Sequence, residues 1–210
     1  NNLCEANYAR HMGDGRILEI GCGKGYILKW MQNKGLANSE GVDLSREDVV
    51  LARKYVGIEN IYHAAALQYL AGKVDAYDCI IGKDILEHVE KDKLDDLLSL
   101  IHRSLKPGGK AILQVPNMDW IMAQHERYMD LTHEVGFTRE SFGEILRLYF
   151  RDVTIYPVKY EFPKSLKAKM VANLAKPVLV RLTRLLLTIL GEGAGACWFE
   201  YREILGVARK

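Results

Sequence analysis

Three glycines at alternate positions, Gly21, Gly23 and Gly25, follow the run Ile17-Leu18-Glu19-Ile20 and precede an amphipathic stretch. Glycines so spaced let a backbone turn tightly and approach a ligand with no Cβ in the way. The helix start beyond them offers free N–H groups to a carboxylate. Glu19, at the strand end, can accept a hydrogen bond from an ammonium group. An amino-acid ligand carries both charges, whereas a pyrophosphate would be repelled by Glu19. Cys22 and Tyr26 flank the same loop. Asp43, 22 positions after Gly21 in Gly41-Val42-Asp43-Leu44-Ser45, stands where the acid of a nucleoside-binding α/β unit meets ribose hydroxyls.

Two histidines could move a proton. A hydroxyl nucleophile loses its proton as it attacks, so a base beside the reacting carbon is expected. His133 is the first candidate; it lies in the ionisable run His125-Glu126-Arg127-Tyr128-Met129-Asp130-Leu131-Thr132-His133-Glu134. His88, in Leu86-Glu87-His88-Val89, is the second, with the alternative that it only shapes the pocket. Arg127 could clamp a carboxylate or phosphate and Asp130 could bind sugar hydroxyls, with Tyr128 and Glu134 beside them. The less favoured alternative is a solvated loop. Asp130, His133 and Glu134 are plausible metal ligands, but their spacing is no recognised metal motif, and no metal is expected.

Elements must position these groups. Strands are expected over 16–20, 40–43, 61–63, 77–81, 110–115, 152–157 and 198–208, and helices over 25–33, 46–55, 93–105 and 139–150. Lys106-Pro107-Gly108-Gly109 reads as a stop after the third helix, and Thr138 as a cap with Ser141 in the first turn of the fourth. Alternating strands and helices predict an α/β fold with a mostly parallel sheet covered on both faces. At 210 residues there is room for one domain, and no linker divides it. The net charge of +2 argues neither for nor against a polyanionic partner, and no basic patch with interleaved aromatics suggests nucleic acid. Cys4, Cys22, Cys79 and Cys197 form no CxxC pair, so free thiols in a reducing compartment fit better than disulfides. With no signal peptide and no long uncharged apolar run, a cytoplasmic location is expected; the start at Asn1 rather than Met suggests a trimmed upstream segment.

With Tyr77-Asp78-Cys79-Ile80-Ile81, Asp84-Ile85-Leu86-Glu87-His88-Val89 and Leu105-Lys106-Pro107-Gly108-Gly109-Lys110-Ala111-Ile112-Leu113 added to the glycine loop and Asp43, the chain resembles class I S-adenosylmethionine-dependent methyltransferases. The resemblance covers residues 12–157 and the last strand. It implies a Rossmann-like seven-stranded sheet with an antiparallel last strand. It also implies S-adenosyl-L-methionine as cofactor, with Glu19, Gly21, Cys22, Gly23, Tyr26, Asp43, Leu44, Lys83 and His88 around it. Relatives often carry an acid or amide after the third strand that meets the adenine amine. Here His63-Ala64-Ala65-Ala66-Leu67-Gln68 stands there, so that side-chain contact is missing or supplied elsewhere, and backbone groups of Ala65 and Ala66 could line the adenine. Residues 127–138 look like the matching loop of bacterial polysaccharide and lipopolysaccharide-cluster methyltransferases, which implies O-methylation of a sugar on a glycan or small-molecule acceptor.

Residues 164–190 form a basic, leucine-rich helical insert before the last strand, with Pro177 expected to separate two helices. Such a segment can lie peripherally on the inner face of an anionic membrane, or bury its leucines as a lid or homodimer contact. Two other functions fit parts of the pattern. An NAD-dependent sugar dehydrogenase or epimerase would use Gly21 to Asp43 for a dinucleotide, but the loop spacing, Glu19 and misplaced Tyr-x-x-x-Lys pairs (Tyr69–Lys73 and Tyr160–Lys164) count against it. A methyltransferase-like subunit that binds without catalysis is the other.

Overall fold

The computed structural model describes residues 2–160, 165–191 and 197–210. Seven strands form one sheet: β1 Ile17–Ile20, β2 Ser39–Asp43, β3 Ile61–His63, β4 Tyr77–Lys83, β5 Leu105–Pro116, β6 Arg151–Pro157 and β7 Glu203–Arg209. Their order across the sheet is β3-β2-β1-β4-β5-β7-β6. The first five strands run parallel, and β7 is antiparallel to both its neighbours. The expected Rossmann-like sheet is thus present. Helices α1 Asn2–Asn7, α2 Tyr26–Asn33, α3 Arg46–Leu51, α4 Ala66–Leu70, α5 Leu94–Ser104, α6 Ala123–Tyr128, α7 Arg139–Tyr149 and α8 Leu166–Ile189 surround it.

The apolar strands explain the two layers. Successive side chains point to opposite faces, so a strand covered on both sides needs apolar residues in succession. Ile17, Ile81, Ile112 and Leu205 enter a core built with α1, α2 and α3. Their neighbours Leu18, Ile80, Leu113 and Ile204 enter a second core with α4, α5 and α7. Thr138 caps α7 by accepting from the Ser141 backbone N–H, and the Ser141 hydroxyl accepts from the Thr138 backbone N–H in return, a capping box.

Four expectations change. The Lys106–Gly109 run is no free turn. Leu105 already pairs with Tyr77, and the strand absorbs the glycines across a register shift opposite Tyr77 and Cys79. The last strand begins at Glu203 rather than at 198, because β5 ends at Pro116, which faces Glu203. The chain before it is held as a turn by Asn117, whose Nδ2 donates to the carbonyls of Trp198 and Tyr201 at 2.9 and 2.9 Å. Helix α8 runs unbroken through Pro177; a proline removes one backbone bond, and the residues on either side still favour helix. The helix expected over 46–55 switches to a π-helical turn over Ala52–Val56. Short α1, α4 and α6 carry no long periodic pattern, and the reading above missed them. Residue 164 of the predicted insert, and residues 192–196 beyond it, lie outside the described residues.

Ile80 is fully buried and sits mid-sheet between β1 and β5. Ile80→Ala should cost about 2–5 kcal/mol in urea unfolding, whereas Leu131→Ala, at a side chain 93% exposed, should stay within about 0.5 kcal/mol.

Candidate active site

Strands β1 and β4 are adjacent in the sheet, and the chain leaves them toward opposite sides, β2 and β5. A crevice opens at that switch point, beyond the carboxyl ends of the strands. The glycine loop fills its floor. Gly21, Gly23 and Gly25 all adopt left-handed φ, at 66°, 48° and 74°. At Gly21 a Cβ would also stand 3.0 Å from Ile85 Cδ1, so both conformation and space demand glycine there. Asp43 fixes the loop: its Oδ2 accepts from the Gly23 N–H at 2.6 Å and its Oδ1 from the Ser45 N–H at 2.7 Å. The first-turn amides of α2 have no side-chain cap and remain available to an anion.

Two cavities meet at Gly21. The first, of about 450 Å³, is lined by Glu19, Cys22, Gly23, Tyr26 and Lys83. Glu19 is buried, and its Oε2 has no hydrogen-bond partner among the described residues. Burial therefore pushes its carboxyl well above the usual carboxylate range. Lys83 points an ammonium into this cavity and pairs with Asp84. The second cavity, of about 540 Å³, is lined by Asp43, Leu44, Ala65, Ala66, Asp84 and His88. Every residue predicted to surround the cofactor lines one cavity or the other. Leu44 and Tyr26, each 72% exposed, stand at the two rims.

Asp84 lines the second cavity, with a left-handed φ of 52° that only the surrounding structure can hold. Its backbone N–H donates to the Gln114 carbonyl at 3.0 Å. The sequence reading assigned it no role. Nor did it assign one to Glu87, which is buried with both carboxylate oxygens unpartnered among the described residues. Burial first, and the nearby Asp84 charge second, push the Glu87 carboxyl up to about 8.

The Glu87 carbonyl anchors the polar loop, accepting from the N–H groups of Glu134 at 2.7 Å and Val135 at 3.2 Å. That anchor brings His133 beside His88, with ring centroids 4.7 Å apart. The Thr132 hydroxyl donates to Asp130 Oδ1 at 2.7 Å and lies 2.8 Å from His88 Nδ1. Its one proton is committed to the carboxylate, so it accepts from His88 Nδ1–H, which leaves the lone pair on Nε2.

Other predicted substrate residues shape this loop. Arg127 donates Nη1 to the His133 carbonyl and Nη2 to the Glu134 carbonyl at 3.2 Å, so its guanidinium braces the loop. Tyr128 is 72% exposed beneath it. The Glu134 side chain is exposed. Asp130, His133 and Glu134 do not converge as a ligand set; His133 meets Glu87 and His88 instead.

A glycine loop tied to Asp43 thus separates a cavity lined by the buried Glu19 from one lined by Ala65 and Ala66. A family model described as a methyltransferase domain matches residues 4–149. The chain belongs to this methyltransferase domain family.

The sheet is shared with solved S-adenosylmethionine-dependent methyltransferases. One from Archaeoglobus fulgidus superposes with a TM-score of 0.70 at 24% identity, over 93% of this chain and 86% of that one. A phosphoethanolamine N-methyltransferase from Haemonchus contortus, in complex with S-adenosyl-L-methionine, gives 0.65 at 20%, over 100% of this chain and 52% of that one. By family the chain is a methyltransferase domain and its fold is that of these S-adenosylmethionine-dependent enzymes, which counts against the dehydrogenase alternative. Curated relatives include ubiquinone biosynthesis O-methyltransferases of Bartonella bacilliformis, 31% identical over 50% of this chain and 42% of that protein, and of Schizosaccharomyces pombe, 32% identical over 47% and 36%. The match thus spans less than half the length of these relatives. None of the relatives or solved structures named here is described as a sugar methyltransferase.

Asp43→Ala releases both loop amides and should weaken S-adenosylhomocysteine binding by roughly ten-fold or more, a loss of about 1.5–3 kcal/mol. An ammonium on Glu19 favours its ionised form, so binding should release a proton and tighten as pH rises toward the raised value of the buried carboxyl. Calorimetry in buffers of different ionisation enthalpy reads this release. Glu19→Gln should weaken binding and abolish the pH dependence.

Proposed function

We propose that this methyltransferase transfers the methyl group of S-adenosylmethionine to a hydroxyl oxygen, with deprotonation at the His88–His133 pair. The pair's position beside the cofactor cleft carries this reading: His88 lines the second cavity and His133 stacks edge-on against it. Glu19 and the α2 amides take the ammonium and carboxylate of the cofactor. Asp43 holds the loop that both ends of the cofactor touch, and its remaining lone pairs face the ribose. Ala65 and Ala66 line the adenine.

In the transfer, an oxygen lone pair forms the new bond to the methyl carbon as the carbon–sulfur bond breaks. That bond's electron pair returns to sulfur, and S-adenosylhomocysteine leaves. The hydroxyl proton passes to an imidazole, for which His133 is the first choice and His88, oriented through Thr132 and Asp130, the second.

The acceptor is a small hydroxylated molecule. The curated relatives are named for O-methylation in ubiquinone biosynthesis, which supports oxygen as the accepting atom. A narrower reading is a sugar hydroxyl on a lipid-linked glycan, motivated by residues 127–138 and by α8. That helix carries basic residues and no acidic one, and it exposes Leu174, Leu182 and Ile189. Among the described residues no helix is long and apolar enough to cross a membrane, so contact with an anionic surface would be peripheral.

His133→Ala should lower turnover by about 10²–10⁴-fold while cofactor affinity stays within two- or three-fold of wild type. Labelled methyl transfer to dihydroxybenzoates and to reducing sugars reads turnover and separates the acceptor classes. Equal damage to turnover and cofactor binding would remove the base assignment. Transfer to an amine but to no hydroxyl would overturn O-methylation, and transfer to any hydroxyl would exclude a silent binding subunit.

A further inference from the structure

We propose that Glu87, His88 and His133 form a site for a first-row divalent cation, at which the acceptor hydroxyl is bound. The inference deepens the proposed O-methylation and rests on it. It replaces direct proton transfer to His133 with ionisation of a cation-bound hydroxyl.

One ligand atom from each of the three residues lies within 4.8 Å of the other two. Around an ion of the zinc class, with bonds of about 2.0–2.2 Å, such atoms sit roughly 3–3.5 Å apart. The exposed His88 ring and the half-buried His133 ring need close by only an ångström or so. Two imidazoles and one carboxylate are the donor set of borderline cations such as Zn²⁺, Co²⁺ and Mn²⁺. Three protein ligands also leave positions open for substrate oxygen and water.

A second observation points to a ligand at the same place. Glu87 is only 2% exposed, and both its oxygens lack a partner among the described residues. A buried carboxylate without partners is costly, and a cation at the group's open side removes that cost. Asp84, whose Oδ1 is likewise buried and unpartnered, adds negative potential nearby. The surroundings of His88 match what a metal-bound imidazole needs. Thr132, held by Asp130, accepts from Nδ1–H and leaves Nε2 bare. The Glu134 and Val135 amides on the Glu87 carbonyl fix the distance between the segments that carry the ligands.

A cation there would bind an acceptor oxygen and favour its ionised form. The proton leaves to water, and the oxygen lone pair then attacks the methyl group as the carbon–sulfur bond breaks. Vicinal oxygens, on a catechol or a sugar diol, would chelate the cation in its open positions and aim one oxygen at the methyl.

The test is a titration of chelator-stripped full-length chain with Co²⁺, followed by visible absorption, with S-adenosylhomocysteine binding measured on every variant. The expected result is saturable one-to-one Co²⁺ binding, reversed by EDTA and lost in Glu87→Gln and His133→Ala, while S-adenosylhomocysteine affinity is unchanged. Thr132→Val, which removes only the orienting hydroxyl, should weaken Co²⁺ by about 10–100-fold. Methyl transfer should stop on chelation and return with the metal. No saturable Co²⁺ binding by the wild-type chain, or binding that survives both ligand substitutions, overturns the site. Turnover that ignores chelation but falls in His133→Ala also overturns it and leaves the imidazole as base. Saturable binding lost in both variants, with no methylation of any hydroxyl, keeps the site and overturns the O-methylation reading.

Discussion

The carboxylate of Asp43 ties two loops that would otherwise move independently. It stands at the end of β2, accepts from Gly23 in the turn after β1, and accepts from Ser45 at the cap of α3. Because β1 and β2 pair in register, with Ile20 opposite Val42, the two strand ends are already level when these bonds form. Three left-handed glycines can then be held in one shape rather than many, which is the costly part of ordering such a loop. Everything about the cofactor cleft follows from that: where α2 starts, which way Glu19 opens, and where the second cavity begins.

The cleft also gathers acids that the fold itself does not satisfy. Glu19 and Asp84 line it, and Glu19 Oε2, Asp84 Oδ1 and both oxygens of Glu87, the neighbour of His88, are buried without partners among the described residues. Each such oxygen costs stability in the folded protein, since a buried acceptor with no hydrogen bond has lost its water, even where the other oxygen of the group is paired, as Asp84 is with Lys83. The apolar strands on both sides of the sheet supply the stability that offsets them. Their clustering at one crevice is what a binding site gains from an otherwise unfavourable arrangement.

How much of this was legible depended on sequence distance. The glycine loop, Glu19 and Asp43 could be read because their geometry is local: a strand, a turn and a helix start within ten residues, and the next strand end. The sheet could be read from continuous apolar runs. Glu87 could not, because its burial and its anchor on Glu134 and Val135 join segments far apart in the chain. The orientation of His88 could not be read for the same reason, since Thr132, 44 residues on, supplies it. Arg127 suggested an anion clamp from its type alone, whereas the fold turns it onto two loop carbonyls. Proline and glycine signals misled where tertiary pairing prevailed. Pro107 and Gly108 sit in a strand held by β4, and Pro177 sits within a continuous helix.

The central claim is that the cleft between β1 and β4 is built for an amino-acid-bearing nucleoside rather than a dinucleotide. Calorimetric titration of the wild-type chain with S-adenosylhomocysteine, with NAD in parallel, tests it most directly. The account predicts saturable one-to-one binding of S-adenosylhomocysteine and none of NAD. Binding of NAD without S-adenosylhomocysteine would contradict it, because Glu19 would then face a phosphate that its position should repel.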